Sequence, residues 1–509
     1  MRTDTQSNKR IAKNTILLYI RMVLMMAVSL FTSRVILKAL GVEDFGLYNV
    51  VGGVVVLFTF INNAMTASTQ RFINFELGRG SGNEAAKVFS AALSIHMAIS
   101  VVFILLAETV GIYFLDNFIM IPPGREDAAN VVFQFSVVTT AVNFMRTPYN
   151  AAIIAHERMS VYAYISIVEV TCKLAVVYLL YLFPDRLVAY SIMIAILSGI
   201  IWLAYYIYCR RNFGICRYRF EYNKERFVSI AGFSGWSLFG SAANMGADQG
   251  INVILNMFFG VGVNAAMGIA NQVNTAVYQF VANFQTAFNP QIVKSYASGN
   301  RDYFISLILN TSRYSFMLLF MLVLPVMICC DGIMQVWLDD VPEHSVAFCR
   351  LMMLFSLIDA LQGPLWMSAQ ATGRIKTYQL LMSSVILLNI PIVYGVLYAT
   401  GIPETAIAVK VAVNALAAAV RIIYLKRLYG FPVMRYIKDT VSRCAAVFVL
   451  AWPLPYFIYG SMSNSSRIMA VSAGTAVSVA VTLVLVYTAG TRKEERIMIR
   501  NIINKYIRR

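Results

Sequence analysis

The sequence predicts an all-α polytopic membrane protein with about fourteen transmembrane helices, most of them in two related lobes. Three observations carry that expectation. First, 59% of the residues are hydrophobic and only 13% are charged, a balance foreign to ordinary soluble domains. Second, nearly all Lys and Arg fall in alternate gaps between the apolar stretches. One set of gaps holds Arg2, Lys9, Arg10 and Lys13, then Arg71, Arg79, Lys87, Arg158 and the run from Arg210 to Arg226. It continues through Lys294, Arg301, Arg374, Lys376, Lys426, Arg427, Arg435 and Lys438 to the basic tail. The other set offers little beyond Lys38, Arg125, Arg186 and Arg467, with acids such as Glu43, Asp44, Asp339 and Asp340. By the positive-inside rule, both termini face the cytoplasm.

Third, the chain reads as duplicated. Val35-Ile36-Leu37 matches Val253-Ile254-Leu255, and Gly41 matches Gly260. With small insertions, Gly46, Asn49 and Phe58 fall on Gly268, Asn271 and Phe280, and Gln70, Phe75 and Gly78 on Gln291, Tyr296 and Gly299. The offset is an even number of spans, so the repeat is parallel, related by an axis along the membrane normal. It predicts two lobes around a central cavity, an architecture suited to alternating access.

Roughly twenty apolar residues cross the hydrocarbon core. On that length the first lobe, 1–209, holds spans at 14–39, 47–68, 88–115, 130–155, 160–183 and 187–209. The first run starts basic like a secretory signal but leads into further spans, so it reads as an uncleaved span. A cytoplasmic loop at 210–227, RRNFGICRYRFEYNKERF, divides the lobes. The second lobe, 228–425, holds spans at 228–259, 264–289, 304–330, 345–369, 378–400 and 404–425. Two additional spans, 441–460 and 467–489, fall within 426–490. The tail, 491–509, places Ile499, Ile502, Ile503, Tyr506 and Ile507 on one face among cations, a basic amphipathic helix for the inner leaflet surface.

The +17 charge sits beside spans, which points to orientation and anionic lipid head groups rather than nucleic acid. Seven cysteines form no CxxC and have no His in ligand spacing, so neither a metal nor a disulfide framework is expected. There is no Walker A loop, Gly-rich nucleotide fingerprint or HExxH, and no loop is long enough for a soluble domain. The expectation is a transporter without a catalytic residue or cofactor, with proton or sodium coupling left open.

Ionisable side chains inside spans are costly and mark function or pairing. Arg146 and Glu169 lie at similar distances on either side of the turn at Arg158, so equal depth predicts an ion pair. Lys173 is one helical turn beyond Glu169, the favourable order for a second pair. Pro148 is expected to kink its helix beside them. Arg21 and Arg34 on the first span, with Arg313 on the ninth, extend this set into a cationic cavity lining for an anionic substrate. Guanidinium forks suit phosphate oxygens. Glu169, Asp248 and Asp359 are open to two readings, counter-ion to an arginine or coupling site, and Glu108 and Lys410 are expected to snorkel to an interface. Asn62, Asn63, Asn271 and Gln272 add amides that serve either as bridges between helices or as partners for sugar hydroxyls.

The opening N14-T-I-L-L-Y-I-R, followed by S33-R-V-I-L-K-A-L-G-V-E-D-F-G-L-Y, resembles Wzx-type lipopolysaccharide and polysaccharide flippases. These belong to the multidrug, oligosaccharidyl-lipid and polysaccharide exporter superfamily. The segments R146-T-P-Y-N-A-A-I-I-A-H-E-R-M, W337-L-D-D-V-P-E and A371-T-G-R-I-K-T-Y-Q-L are similar to the same family. The resemblance implies two six-helix lobes with a cationic central cavity, two extra C-terminal helices and a bacterial inner-membrane location. It also implies a cargo of undecaprenyl-diphosphate-linked oligosaccharide, an O-antigen or capsule repeat unit, flipped towards the periplasm. A polysaccharide polymerase and chain-length proteins are the partners to expect. The competing readings are an ion-coupled multidrug antiporter on the same architecture and a non-transporting scaffold of a glycan assembly complex.

Overall fold

Apolar helices joined by short polar turns leave a chain few options in lipid, because every backbone N–H and C=O must be satisfied within its own segment. The computed structural model describes residues 17–25, 28, 31–32, 35–36, 38–41, 44, 47–48, 59–113, 115, 121, 124–219, 223–338, 341–462, 466–492 and 495–497. Among these there is no strand, and ten helices are long and apolar enough to cross a membrane. By contact the chain forms two units, Met1–Ser241 with Val293–Gly299, and Ala242–Ile292 with Asn300–Arg509.

In the first unit, helical residues 17–25 precede α1 (Thr59–Gly78), α2 (Gly82–Leu106), α3 (Glu126–Ala155), α4 (Met159–Leu179) and α5 (Arg186–Asn212). Helix α3 packs against α1, α2 and α5, while α4 lies along α5. Small residues permit that close approach: Ala129, Ala151, Ala152 and Ala155 of α3 are fully buried. Helix α5 starts where Asp185 accepts the backbone N–H groups of Leu187 and Val188, both at 3.1 Å. The other oxygen of Asp185 accepts from Arg125 at 2.8 Å, and Arg125 also pairs with Asp44.

Two long helices follow, α6 (Lys224–Phe259) and α7 (Val261–Ala297), of 36 and 37 residues. Both are more polar than the ten apolar spans, because amides such as Asn252, Asn256, Asn271, Gln272, Asn274 and Gln279 are spread along them.

The second unit continues with α8 (Arg301–Ile328), α9 (Cys330–Trp337), α10 (Ser345–Ala371), α11 (Lys376–Leu387), α12 (Asn389–Thr400) and α13 (Glu404–Tyr429). The segment 376–400 is one span broken at Leu388, where Pro391 has no N–H for the carbonyl of Leu387. Beyond lie α14 (Val433–Tyr436), α15 (Ser442–Ala451), α16 (Pro453–Ser461) and α17 (Arg467–Leu485). A Cβ on Gly332 would stand 2.6 Å from the Tyr459 hydroxyl, and one on Gly474 would stand 2.6 Å from Cys329 Sγ, so glycine lets α9, α16 and α17 touch. Three single π turns interrupt the spans, at Ala107–Gly111, Ile437–Val441 and Val486–Gly490.

Left-handed residues repeat between the two halves. Gly41 (φ 82°) and Gly260 (φ 76°) correspond at the same sequence offset as Gly80 (φ 76°) and Gly299 (φ 75°). Gly124 and His344 precede α3 and α10, and Glu157 and Gly373 follow them. The match of Gly41 to Gly260 therefore stands, whereas the counterpart of Gly299 is Gly80, two residues beyond the expected Gly78. Gly78 has another duty: a Cβ there would meet Lys294 Cα at 2.7 Å, so it admits the end of α7.

Candidate functional site

Each unit contains a cluster of charged side chains, and they differ in balance: one carries excess positive charge, the other equal numbers of cations and carboxylates. In the first unit, Arg146 on α3 donates to Glu169 on α4 at 2.9 Å. Lys173 donates to the other oxygen of Glu169, also at 2.9 Å. These are the pairs expected from equal depth about the Arg158 turn and from helical spacing. The side chains are only partly buried, at 24% exposure for Arg146 and 21% for Glu169. Arg21 joins them from the first helical segment, its guanidinium carbon 4.3 Å above the ring of Tyr162. Arg146 stands 5.7 Å from the centre of the Tyr205 ring, and Tyr205 lies within electrostatic reach of Arg21, Arg146 and Glu169. Two cations thus share one carboxylate, and a third, Arg21, stands by the neighbouring tyrosines. Among the described residues, the Nε of Arg21 is buried without a hydrogen-bond partner, so it keeps an unspent donor.

Asn62 borders this cluster, its Oδ1 accepting from Thr147 at 2.6 Å between Arg146 and Pro148. It therefore acts as a bridge between α1 and α3. The side chain of Asn63 and all of Arg34 lie outside the described residues.

In the second unit, Asp248 on α6 pairs with Lys410 on α13 at 2.8 Å. Lys410 does not snorkel to an interface as its position near a span end led one to expect; its side chain is 9% exposed and passes 4.8 Å from the Phe355 ring. Asp359 on α10 faces the Tyr278 hydroxyl, with Arg421, Lys410 and Asp248 nearby. Gln362 and Asn414 are joined at 2.7 Å, and Arg421 donates to the Gln362 carbonyl at 3.4 Å. Two cations here balance two carboxylates. Both acids therefore have a basic neighbour, which fits the counter-ion reading without removing the coupling one. Asn271 is half-buried and Gln272 exposed on α7, while Asn274 accepts from Ser356.

Arg313 does not sit on an open cavity wall. It is fully buried on α8, is bound by Glu495 and donates to Asn310 at 3.4 Å. The reason is the C-terminal segment: Glu495 also caps the Arg492 N–H at 2.6 Å, so the start of the tail tucks into the second unit. The tail residues beyond 497, including the expected amphipathic face, lie outside the described residues. Glu108 likewise has a protein partner, accepting from Gln134 at 3.1 Å beside the first π turn.

Sequence reasoning missed Arg421, Tyr162, Tyr205 and Tyr278. Arg421 was accessible to it, since eleven residues after Lys410 is three helical turns and the same face. It also missed that the two halves align in sequence through their inner prolines. Pro148 and Pro364 lie inside α3 and α10, each nine residues before the left-handed Glu157 and Gly373. On that alignment, Arg146 corresponds to Gln362, Asn143 to Asp359 and Arg158 to Arg374. The cationic position of the first half is therefore a neutral amide in the second.

No family model matches the sequence, and no curated protein matches it. Solved structures do. A MATE in complex with MaD3S superposes with a TM-score of 0.71 at 14% identity, covering 85% of this chain and 97% of that one. An outward-facing multidrug resistance MATE family transporter of the MOP superfamily gives 0.70 at 13% identity, covering 81% and 95%. A MOP superfamily transporter from Pyrococcus furiosus, reported with reversed binding-pocket polarity, gives 0.69 at 12% identity, covering 84% and 96%. The class is thereby defined as a polytopic membrane protein with the fold of MATE and MOP superfamily transporters. Within it, the expected arrangement of two repeated helical lobes stands.

Proposed function

We propose that this protein is a flippase that moves an undecaprenyl-diphosphate-linked oligosaccharide across the bacterial inner membrane by alternating access, with both termini in the cytoplasm. The observation that carries this reading is the excess of positive charge around Glu169, where Arg146 and Lys173 pair with the carboxylate and Arg21 and Arg146 stand by Tyr162 and Tyr205. A diphosphate needs fixed cations once it leaves water, because an uncompensated anion pays a large desolvation cost in a low-dielectric interior. Guanidinium forks answer that need, and aromatic faces and amides suit the glycan. The Pyrococcus furiosus neighbour, with its reversed pocket polarity, illustrates that one fold accommodates linings of different sign, so the lining decides the cargo.

The test is surface-glycan display in a strain lacking this gene, with membrane protein level measured alongside. Arg21→Gln and Arg146→Gln should each reduce display at least tenfold at unchanged protein level, with lipid-linked units accumulating. Arg→Lys should be intermediate, since it keeps charge but loses the fork. Full display in both Gln variants would overturn the assignment. A second reading, an ion-coupled multidrug antiporter, draws on Asp359, a half-buried residue on α10 whose carboxylate faces Tyr278. It expects Asp359→Asn to abolish drug resistance and leave glycan untouched.

A further inference from the structure

The cytoplasmic end of α5 carries a second basic site that the transport reading does not use. A cavity of about 500 Å³ opens there, lined by Tyr206, Ile207, Arg210, Arg211 and Arg217. Among the described residues none of its three guanidiniums meets a carboxylate, although most other cations in this unit with a partner are paired to one. The bowl is rigid. Phe213 stacks on His156 at 4.0 Å with 15° between the rings, and Ile215 and Cys216 are buried in a short 3-10 turn. After the turn, the Arg219 N–H donates to Ser90 at 3.2 Å and the Tyr218 hydroxyl lies 3.1 Å from that of Ser94, both on α2. Arg210 itself donates to the Tyr206 hydroxyl and lies 5.7 Å from that ring centre.

An apolar track leads to this bowl. Ile196, Ile200, Leu203 and Ile207 follow one face of α5 at helical spacing and are 40% to 57% exposed. They present a path for acyl chains that ends where the guanidiniums begin. A soluble phosphate compound would have no use for it. We propose that this bowl binds the phosphate head group of an anionic membrane lipid in the leaflet facing the basic loops, with its chains along the track. Three arginines around one cavity suit a head group bearing two phosphates better than one, as in cardiolipin. The proposal stands apart from the transport reading and fails or survives without it.

The test is native mass spectrometry of the full-length protein with cardiolipin, phosphatidylcholine or inorganic phosphate. Wild type should retain cardiolipin at least tenfold over phosphatidylcholine, and R210Q/R211Q/R217Q should lose that preference. A control with R374Q/K376Q/K426Q, in two other basic gaps, should keep it. All three bowl residues are exposed, and melting in phosphatidylcholine should match wild type; R211Q alone, with a partial loss, serves if the triple variant is damaged. Equal loss in the control would reduce the effect to general surface charge and overturn the proposal. So would displacement of cardiolipin by equimolar inorganic phosphate, or an unchanged preference in the triple variant.

Discussion

At the scale of single residues, the Arg146–Glu169 pair shows how a membrane interior sets the cost of a charge. Each side chain is about a quarter exposed, so removing one partner leaves the other half-solvated rather than stranded. Arg146→Gln or Glu169→Gln should cost about 1–3 kcal/mol, and the double variant less than the sum of the two. Melting of the detergent-purified protein checks this, and strict additivity would show that the groups are not coupled. His156 behaves differently. Burial, with Lys294 and Arg158 nearby, holds its imidazole below the usual histidine range against the pull of its bond to the Ala152 carbonyl. The neutral ring is the one that stacks on Phe213. Its contribution is therefore complete above the unfolded value, roughly 6.5, and is lost as pH falls through that value and below. Stability should drop as pH falls from about 7 through 6.5 and below, and His156→Gln should flatten that part of the curve.

At the scale of elements, helix ends and crossings were only half legible. Most span limits followed from hydropathy within a few residues, but the polar α6 and α7 read as ordinary spans although they are long, amide-rich helices. The capping role of Asp185 had no hydropathy signal at all. Asp185→Ala should cost about 1–2 kcal/mol, since it frees two N–H groups of α5 and the charge on Arg125. Asp185→Asn should keep most of the cap and lose only the ion pair, so a melting difference between the two variants separates these contributions. Gly78 makes a comparable claim for a crossing. An added methyl group would stand 2.7 Å from the Lys294 backbone, so Gly78→Ala must push α1 from the end of α7, at about 1–3 kcal/mol. An unchanged melting temperature would refute that crossing.

At the scale of the whole molecule, the charge asymmetry and the weak repeat were enough to specify the fold, while the site was legible only in part. Arg146, Glu169 and Lys173 declared themselves through spacing from one turn. Arg313 misled because depth along a span says nothing about which neighbour covers it, and Glu495 lies 182 residues away. The orientation is testable as a unit. Single cysteines at Arg211 and at Glu343, whose side chain is 91% exposed, should be labelled by impermeant reagents from opposite sides of the membrane, Arg211→Cys from the cytoplasm. Labelling of both from one side would overturn the topology. Native cysteines should add little signal, since six of the seven are buried and Cys172 is half-buried.

The π turns carry a different kind of information, about history and tolerance. A π turn holds one residue more than an α turn, so everything beyond it is rotated by about 100° relative to an uninterrupted helix. At Ala107–Gly111 and Val486–Gly490 the extra residue comes near the end of its span, where few downstream side chains have to change partners. At Ile437–Val441 it comes near the beginning, ahead of α15. Insertions and deletions of a single residue should therefore be absorbed at the first two places and rejected at the third. An alignment that forbids gaps inside helices would slip out of phase wherever a relative lacks one of these turns.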